Sequence, residues 1–168
     1  MVQIDLSGKT ALVTGASQGL GEATLRLLHQ AGANVVLNYV AMGSNRENAD
    51  RIVADLGQRA VACEADVRLP DRITAMCDQA VKQFGGLDIL INNAGIVRDR
   101  SIRKMSTEEW QQVIDTNLTG VFNVTRAASE RMRDGGRIVS LSSISAFVGF
   151  FGQANYAATK AGVVAFTK

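Results

Sequence analysis

The sequence holds one proline, one histidine and two cysteines, and only 5% of it is aromatic. Each scarcity excludes something. The single histidine, His29, sits in the first expected helix, far from Ser143, Tyr156 and Lys160, which excludes a Ser-His-Asp triad. Cys63 and Cys77 have neither CxxC spacing nor a nearby pair of histidines, so no metal site is expected. Both fall at apolar-periodic positions, where buried free thiols in a reducing compartment are the expectation. No apolar run approaches the roughly 20 residues that span a bilayer. Met1 to Lys9 shows no charged segment leading into an apolar one, so no secretory leader is expected and the cytoplasm follows by default. Charge of one sign is also missing. The formal balance is +2, from 18 basic and 16 acidic residues, too small and too evenly spread for nucleic acid or a membrane surface. The one basic cluster, Arg98, Arg100, Arg103 and Lys104, reads either as a solvated loop or as a dock for an acidic substrate carrier.

What is present is a globular composition, 46% hydrophobic and 20% charged, in 168 residues. That length suits one domain, residues 1–168, with a real core. Short apolar runs alternate with helical periodicity throughout. Thr10–Thr14, Asn34–Asn38, Ala60–Cys63, Leu87–Ile91 and Gly136–Leu141 read as strands. Helices are expected after each, including a long one through Trp110, Val113, Ile114, Val121 and Val124, and a last one over Asn155–Lys168. Ala41–Asn48 and Val97–Met105 read as the longest loops. The alternation predicts an α/β fold, a doubly wound, Rossmann-like parallel sheet in the order 3-2-1-4-5 within an α/β/α sandwich of three layers. The strands lack in-out alternation, as expected of strands covered on both faces.

The first strand runs into Thr14-Gly15-Ala16-Ser17-Gln18-Gly19-Leu20-Gly21, and a helix follows. Glycines there permit a tight turn and let the backbone approach a pyrophosphate, which the helix N-terminus then faces. Their spacing is not the usual G-x-G-x-x-G; the strand–turn–helix context is what supports a dinucleotide cradle. An acidic residue at the end of the second strand would bind a ribose 2′-OH and repel a 2′-phosphate. Asn38 and Tyr39 stand there instead, with no carboxylate before Glu47, while Ser17, Ser44 and Arg46 are able to hold a phosphate. NADP is therefore expected over NAD. Asp66, next to Val67 after strand three, reads either as an acceptor for the adenine amino group or as a turn residue. Asn92-Asn93-Ala94-Gly95 reads either as a close-approach segment for the cofactor or as a plain turn. Asn117 shares the apolar face of its helix and needs hydrogen-bond partners there, whether as a functional group or as a satisfied core amide.

Tyr156 and Lys160 are one helical turn apart and so point the same way. A free tyrosine has a pKa near 10, and a neighbouring ammonium lowers it. Tyr156 is then able to give a proton to a carbonyl oxygen as hydride arrives, or take one from an alcohol in reverse. Ser143, thirteen residues earlier, is placed to hydrogen-bond the same oxygen.

In combination these residues resemble the short-chain dehydrogenase/reductase family along the whole chain. Thr14–Gly21 is similar to its T-G-x-x-x-G-x-G turn and Asn92–Gly95 to its N-N-A-G. Asn117, Ser143, Tyr156 and Lys160 fall at its catalytic tetrad. The resemblance implies that Gly15, Ser17, Gln18, Gly19, Leu20, Gly21, Asn38, Tyr39, Asp66, Val67, Asn93, Ala94 and Gly95 contact the cofactor, NADP (NADPH). Tyr156 and Lys160 join them, Lys160 holding the nicotinamide ribose, and Asn117 fixes a water in a proton relay. Ser143 and Tyr156 contact substrate. Asn92–Asp99, Asp115–Asn123 and Gly152–Tyr156 resemble the 3-oxoacyl-[acyl-carrier-protein] reductase branch, and acetoacetyl-CoA reductases look similar in the same stretches. A ketoacyl substrate and a homo-tetramer are the implied partners. Members run to about 250 residues, so the chain is expected to correspond to the N-terminal two-thirds, ending before strands six and seven. Strand five would then be a sheet edge. Two functions stay open: an NADPH-dependent ketone reductase, or an idle nucleotide-binding fragment.

Overall fold

The structure is a computed structural model describing residues 4–168; the first three residues of the Met1–Lys9 stretch, read above for a leader, lie outside it. Strands β1 (Thr10–Val13), β2 (Asn34–Tyr39), β3 (Ala60–Glu64), β4 (Leu87–Asn92) and β5 (Met132–Ser140) form one sheet. Every neighbouring pair is parallel and the order is β3-β2-β1-β4-β5, as the alternation predicts. Helices α1 (Gly19–Gln30), α2 (Asn45–Leu56), α3 (Pro70–Phe84), α4 (Thr107–Ile114), α5 (Gly120–Ser129), α6 (Ser145–Val148) and α7 (Ala154–Phe166) complete the described chain.

All four β1 residues are buried. Successive strand side chains point to opposite faces, so Leu12 packs with Val36, Ile73, Met76, Leu90 and Val124 on one side. Ala11 and Val13 pack with Leu25, Val35, Leu37 and Ile52 on the other. Cys63 and Cys77 are free, buried thiols in the first of these clusters, and burial pushes both up to about 11. Among the described residues no helix is long and apolar enough to cross a membrane, and no group of acidic, histidine or cysteine side chains is placed to hold a metal.

Local sequence accounts for the element ends. Pro70 opens α3, where a missing N–H costs nothing, and Gly85 closes it with a left-handed φ of +81°. Ser106 and Glu109 form a reciprocal capping box at the start of α4. Four features differ from the sequence reading. The helix expected to run unbroken past Trp110 is interrupted by a π turn, Asp115–Thr119, between α4 and α5. The loop expected over Ala41–Asn48 is shorter, because α2 begins at Asn45. Strand β5 begins at Met132, four residues before Gly136, and carries an irregularity in its pairing with β4 where Gly135 adopts φ +79°. Finally, α6 is too short to leave a periodic signal. As expected, β5 is the outer strand, and Val139 is half exposed.

The lower rim of the sheet is closed by Asp88. This buried carboxylate accepts the Thr10 backbone N–H at 2.9 Å, an Arg133 guanidinium N–H at 2.5 Å and the Lys9 ammonium at 3.5 Å, tying β1, β4 and β5 together. Asp88→Ala leaves the Thr10 N–H without an acceptor, which should lower unfolding stability by about 1–3 kcal/mol. A thermal melt should show a drop of several degrees, with Asp88→Asn losing less; an unchanged melting temperature for the alanine variant would contradict the assignment.

Candidate active site

The C-terminal edge of a parallel sheet collects the loops that follow its strands, and ligands sit where the winding reverses. Here that point lies between β1 and β4. After β1 the chain turns through Gly15 and Gly19, with φ of +62° and +60°. A Cβ on Gly21 would stand 2.5 Å from the Gly15 carbonyl oxygen and 2.6 Å from Asn93 Nδ2, so no larger residue fits. Gln18, the residue before α1, makes no side-chain cap, so the first amides of α1 remain free to meet an anion.

The residues assigned to the cofactor from Gly15 to Gly95 converge. Gly15, Ser17, Gln18, Gly19, Leu20 and Gly21 line one cleft of about 750 Å³ with Asn38, Tyr39, Asp66, Val67, Asn93, Ala94 and Gly95. The Asn38 amide is committed within the frame. Its Oδ1 accepts the Gly15 N–H at 3.3 Å and its Nδ2 donates to the Ala65 carbonyl at 2.8 Å. Asn38 therefore fixes the glycine turn to β2 and β3. Asp66 is both a turn residue and a cleft residue. It accepts the Arg68 backbone N–H at 2.9 Å, and the Arg68 guanidinium grips its carboxylate at 2.6–3.0 Å. Those bonds hold the Asp66 pKa below its ordinary value. Burial raises the Tyr39 pKa. Arg46 is ion-paired with Glu64 beside this end of the cleft.

Asn117 is fully buried in the π turn, the helical irregularity often found at functional sites. Its amide accepts the Ile96 N–H and donates to the Ile96 carbonyl, each at 2.8 Å. Asn117 thus pins the loop after β4 where Ile96 lines the cleft.

The loop after β5 and the first turns of α7 bring up the remaining residues. Lys160, only 5% exposed, donates from Nζ to the Leu141 carbonyl at 2.7 Å and sits 5.6 Å from the centroid of the Tyr156 ring. Desolvation lowers its pKa. The Ser142 hydroxyl donates to the Lys160 carbonyl at 2.9 Å, and Ser143 Oγ lies 2.7 Å from Ser145 Oγ. Ser143, Tyr156 and Lys160 do not themselves line the 750 Å³ cleft; helix α7, which carries the last two, packs against the π turn that holds Asn117.

Sequence reasoning passed over Arg68, Ile96 and Thr116, which also line the cleft. It also passed over Asn155, which is fully buried and donates to the Arg98 and Glu109 carbonyls at 3.0 and 3.3 Å. Its Oδ1 accepts the Tyr156 N–H, seating the start of α7 on the loop after β4. An asparagine just ahead of the Tyr/Lys pair was the available signal, but its partners lie 46 and 57 residues away. In the basic cluster, Arg100 pairs with Glu109 and Arg98 bonds Gln112 while lining the cleft.

Known proteins resemble this chain in sequence and in fold. The family model for short chain dehydrogenases matches residues 9–168. A Staphylococcus aureus 3-oxoacyl-[acyl-carrier-protein] reductase, FabG, is 46% identical over 165 residues, covering 95% of this chain and 66% of its own. A Synechocystis 3-oxoacyl-[acyl-carrier-protein] reductase is 44% identical over 168 residues, covering 97% and 67%. Among solved structures, a Sinorhizobium meliloti dehydrogenase/reductase superposes with a TM-score of 0.91 at 36% identity, over 98% of this chain and 66% of that one. A Burkholderia cenocepacia short chain dehydrogenase in complex with NADP gives 0.88 at 37% identity, over 96% and 66%. The chain thus spans about two thirds of the length of the curated relatives it matches. With the glycine turn, the buried lysine beside its tyrosine and a family match from residue 9 onward, this chain belongs to the short chain dehydrogenase family.

Proposed function

We propose that this chain belongs to an NADPH-dependent reductase that converts a ketone carbonyl to an alcohol, with a 3-oxoacyl thioester carried on acyl carrier protein or CoA as substrate. The observation that carries the reading is the arrangement along one sheet edge. An open glycine turn, a buried lysine beside a tyrosine, and a serine in the loop after β5 are gathered there. The names of the two reductase relatives supply the substrate class.

The free amides of α1 and the Gly15–Gly21 turn would hold the pyrophosphate, and Lys160 the nicotinamide ribose. When bound there, the nicotinamide would supply the hydride for the carbonyl carbon. As the carbonyl oxygen gains charge, the Ser143 hydroxyl donates a hydrogen bond to it and the Tyr156 phenol gives it a proton. Lys160 stands close enough to stabilise the phenolate left behind. The Asn117 amide gives one N–H and one oxygen lone pair to Ile96, so it holds the loop after β4, and its second N–H and second lone pair are left for the relay water that the family resemblance implies.

The absence of a carboxylate at Asn38, Tyr39 and Val40 favours a 2′-phosphate, and the NADP-bound relative agrees with that choice. Arg46 is the basic group proposed to meet the phosphate, exchanging Glu64 for it. Arg46→Ala should then weaken NADPH by about tenfold, the size of one charge-assisted contact at an exposed site, and leave NADH unchanged. Titrating both cofactors by fluorescence checks this; equal losses would count against the assignment.

Tyr156→Phe keeps the ring and removes the proton. Oxidation of NADPH with acetoacetyl thioesters should fall by about 10²–10⁴-fold, while NADPH affinity holds. Turnover near the parent value would sink the role of Tyr156. Cofactor binding without turnover in the parent chain would favour the idle nucleotide-binding reading.

The buried Lys160 has a further signature. Its folded pKa is lowered, while the unfolded chain keeps the proton up to about 10.4. Between those two values the unfolded state binds more protons, so stability rises with pH there, and the cost of the buried charge is complete below. Lys160→Met should flatten that rise and increase the melting temperature at neutral pH. Melts of both proteins from neutral to alkaline pH test this, and parallel curves would contradict it.

A further inference from the structure

Ser143 is proposed above as a donor to the substrate oxygen, and the inference here rests on that reading. A hydroxyl has one proton and two lone pairs, so donating to substrate requires that its proton not be spent elsewhere. In this structure the Ser143 oxygen accepts the Ser145 backbone N–H at 3.2 Å and lies 2.7 Å from Ser145 Oγ. Distance alone leaves the direction of that second bond open.

Burial closes it. Ser145 is 4% exposed, and Ser143 Oγ is the hydrogen-bond partner of its hydroxyl among the described residues. If Ser143 donated, the buried Ser145 proton would have no acceptor. Ser143 is only half buried, so its own proton has an outlet toward solvent or a ligand. We infer that Ser145 is a positioning residue whose hydroxyl, with its own backbone N–H, donates into the Ser143 oxygen and directs the single Ser143 proton outward to the substrate oxygen. The donated bond also makes the Ser143 hydroxyl a better donor, because the negative charge that builds on its oxygen is met by one N–H and one O–H dipole.

The test reads the hydrogen bond without relying on turnover. Ser143→Cys places a thiol at the same site. The ordinary thiol pKa is about 8.5, and a donor to the thiolate lowers it. Cys63 and Cys77, both buried and pushed up to about 11, give a silent background toward iodoacetamide. The alkylation rate of Ser143→Cys is followed against pH, alone and combined with Ser145→Ala. Loss of the Ser145 hydroxyl should move the midpoint upward and slow alkylation at neutral pH by roughly tenfold, as expected when one hydrogen bond to the anion is removed. Coincident midpoints would overturn the inference, whatever the enzyme's substrate proves to be. Should Ser145→Ala expose Cys63 or Cys77, the isosteric pair Ser145→Thr and Ser145→Val replaces it. Threonine should keep the low midpoint and valine lose it, and equal midpoints for the pair would overturn the inference as well.

Discussion

The site depends on one clasp between two loops at the reversal point of the sheet. The Thr14 hydroxyl accepts the N–H groups of Asn93 and Ala94, both at 3.0 Å, and donates to the Ile91 carbonyl at 3.4 Å. Asn93 returns the grip, its amide donating to the Thr14 and Gly15 carbonyls at 2.8 and 3.1 Å. The Thr14 hydroxyl, as donor and acceptor, and the N–H groups of the Asn93 amide are all directed at backbone, in a place where unpaired polar atoms are costly. The clasp fixes the glycine turn against the loop after β4, and the missing Cβ at Gly21 is what lets the Asn93 amide in. From there Gly95 leads to Ile96, Ile96 to Asn117, and the π turn, together with α4, to α7. A shift at Thr14 would therefore be felt at both ends of the proposed site.

Lys160 shows the opposite economy. Its ammonium is buried with one carbonyl bond at 2.7 Å, and desolvation works against its charge. A fold optimised for stability alone would place an apolar side chain there. The charge is explained by what it faces: the Tyr156 ring on one side and, in the proposed reaction, a ribose on the other. Stability given up at a functional position is a common pattern.

The sheet order was legible because five apolar runs alternate with helical periodicity and crossovers have one hand. The glycine turn was legible because its residues are chosen for backbone geometry, which sequence reports directly. Tyr156 and Lys160 were legible because four residues is a local spacing. What sequence concealed was long-range or subtle. A π turn at Asp115–Thr119 adds one residue to a loop of hydrogen bonds and leaves the apolar pattern nearly unchanged. Arg68 closing on Asp66, and Arg46 on Glu64, depend on how loops meet. Asn155 earns its place through partners in a distant loop, and Asn38, read as a cofactor neighbour, proves to be tied to the glycine turn as well.

The central claim is that the glycine cleft and the Ser143, Tyr156 and Lys160 group form a single site, although the latter stand outside the cleft lining. Amide hydrogen exchange with and without NADPH tests this directly, because it reports each segment separately. One continuous site predicts slower exchange at two places far apart in sequence, the amides of Gly19–Gly21 and the turn of α7 from Tyr156 to Lys160. Protection confined to the glycine turn, with α7 exchanging as before, would contradict the account.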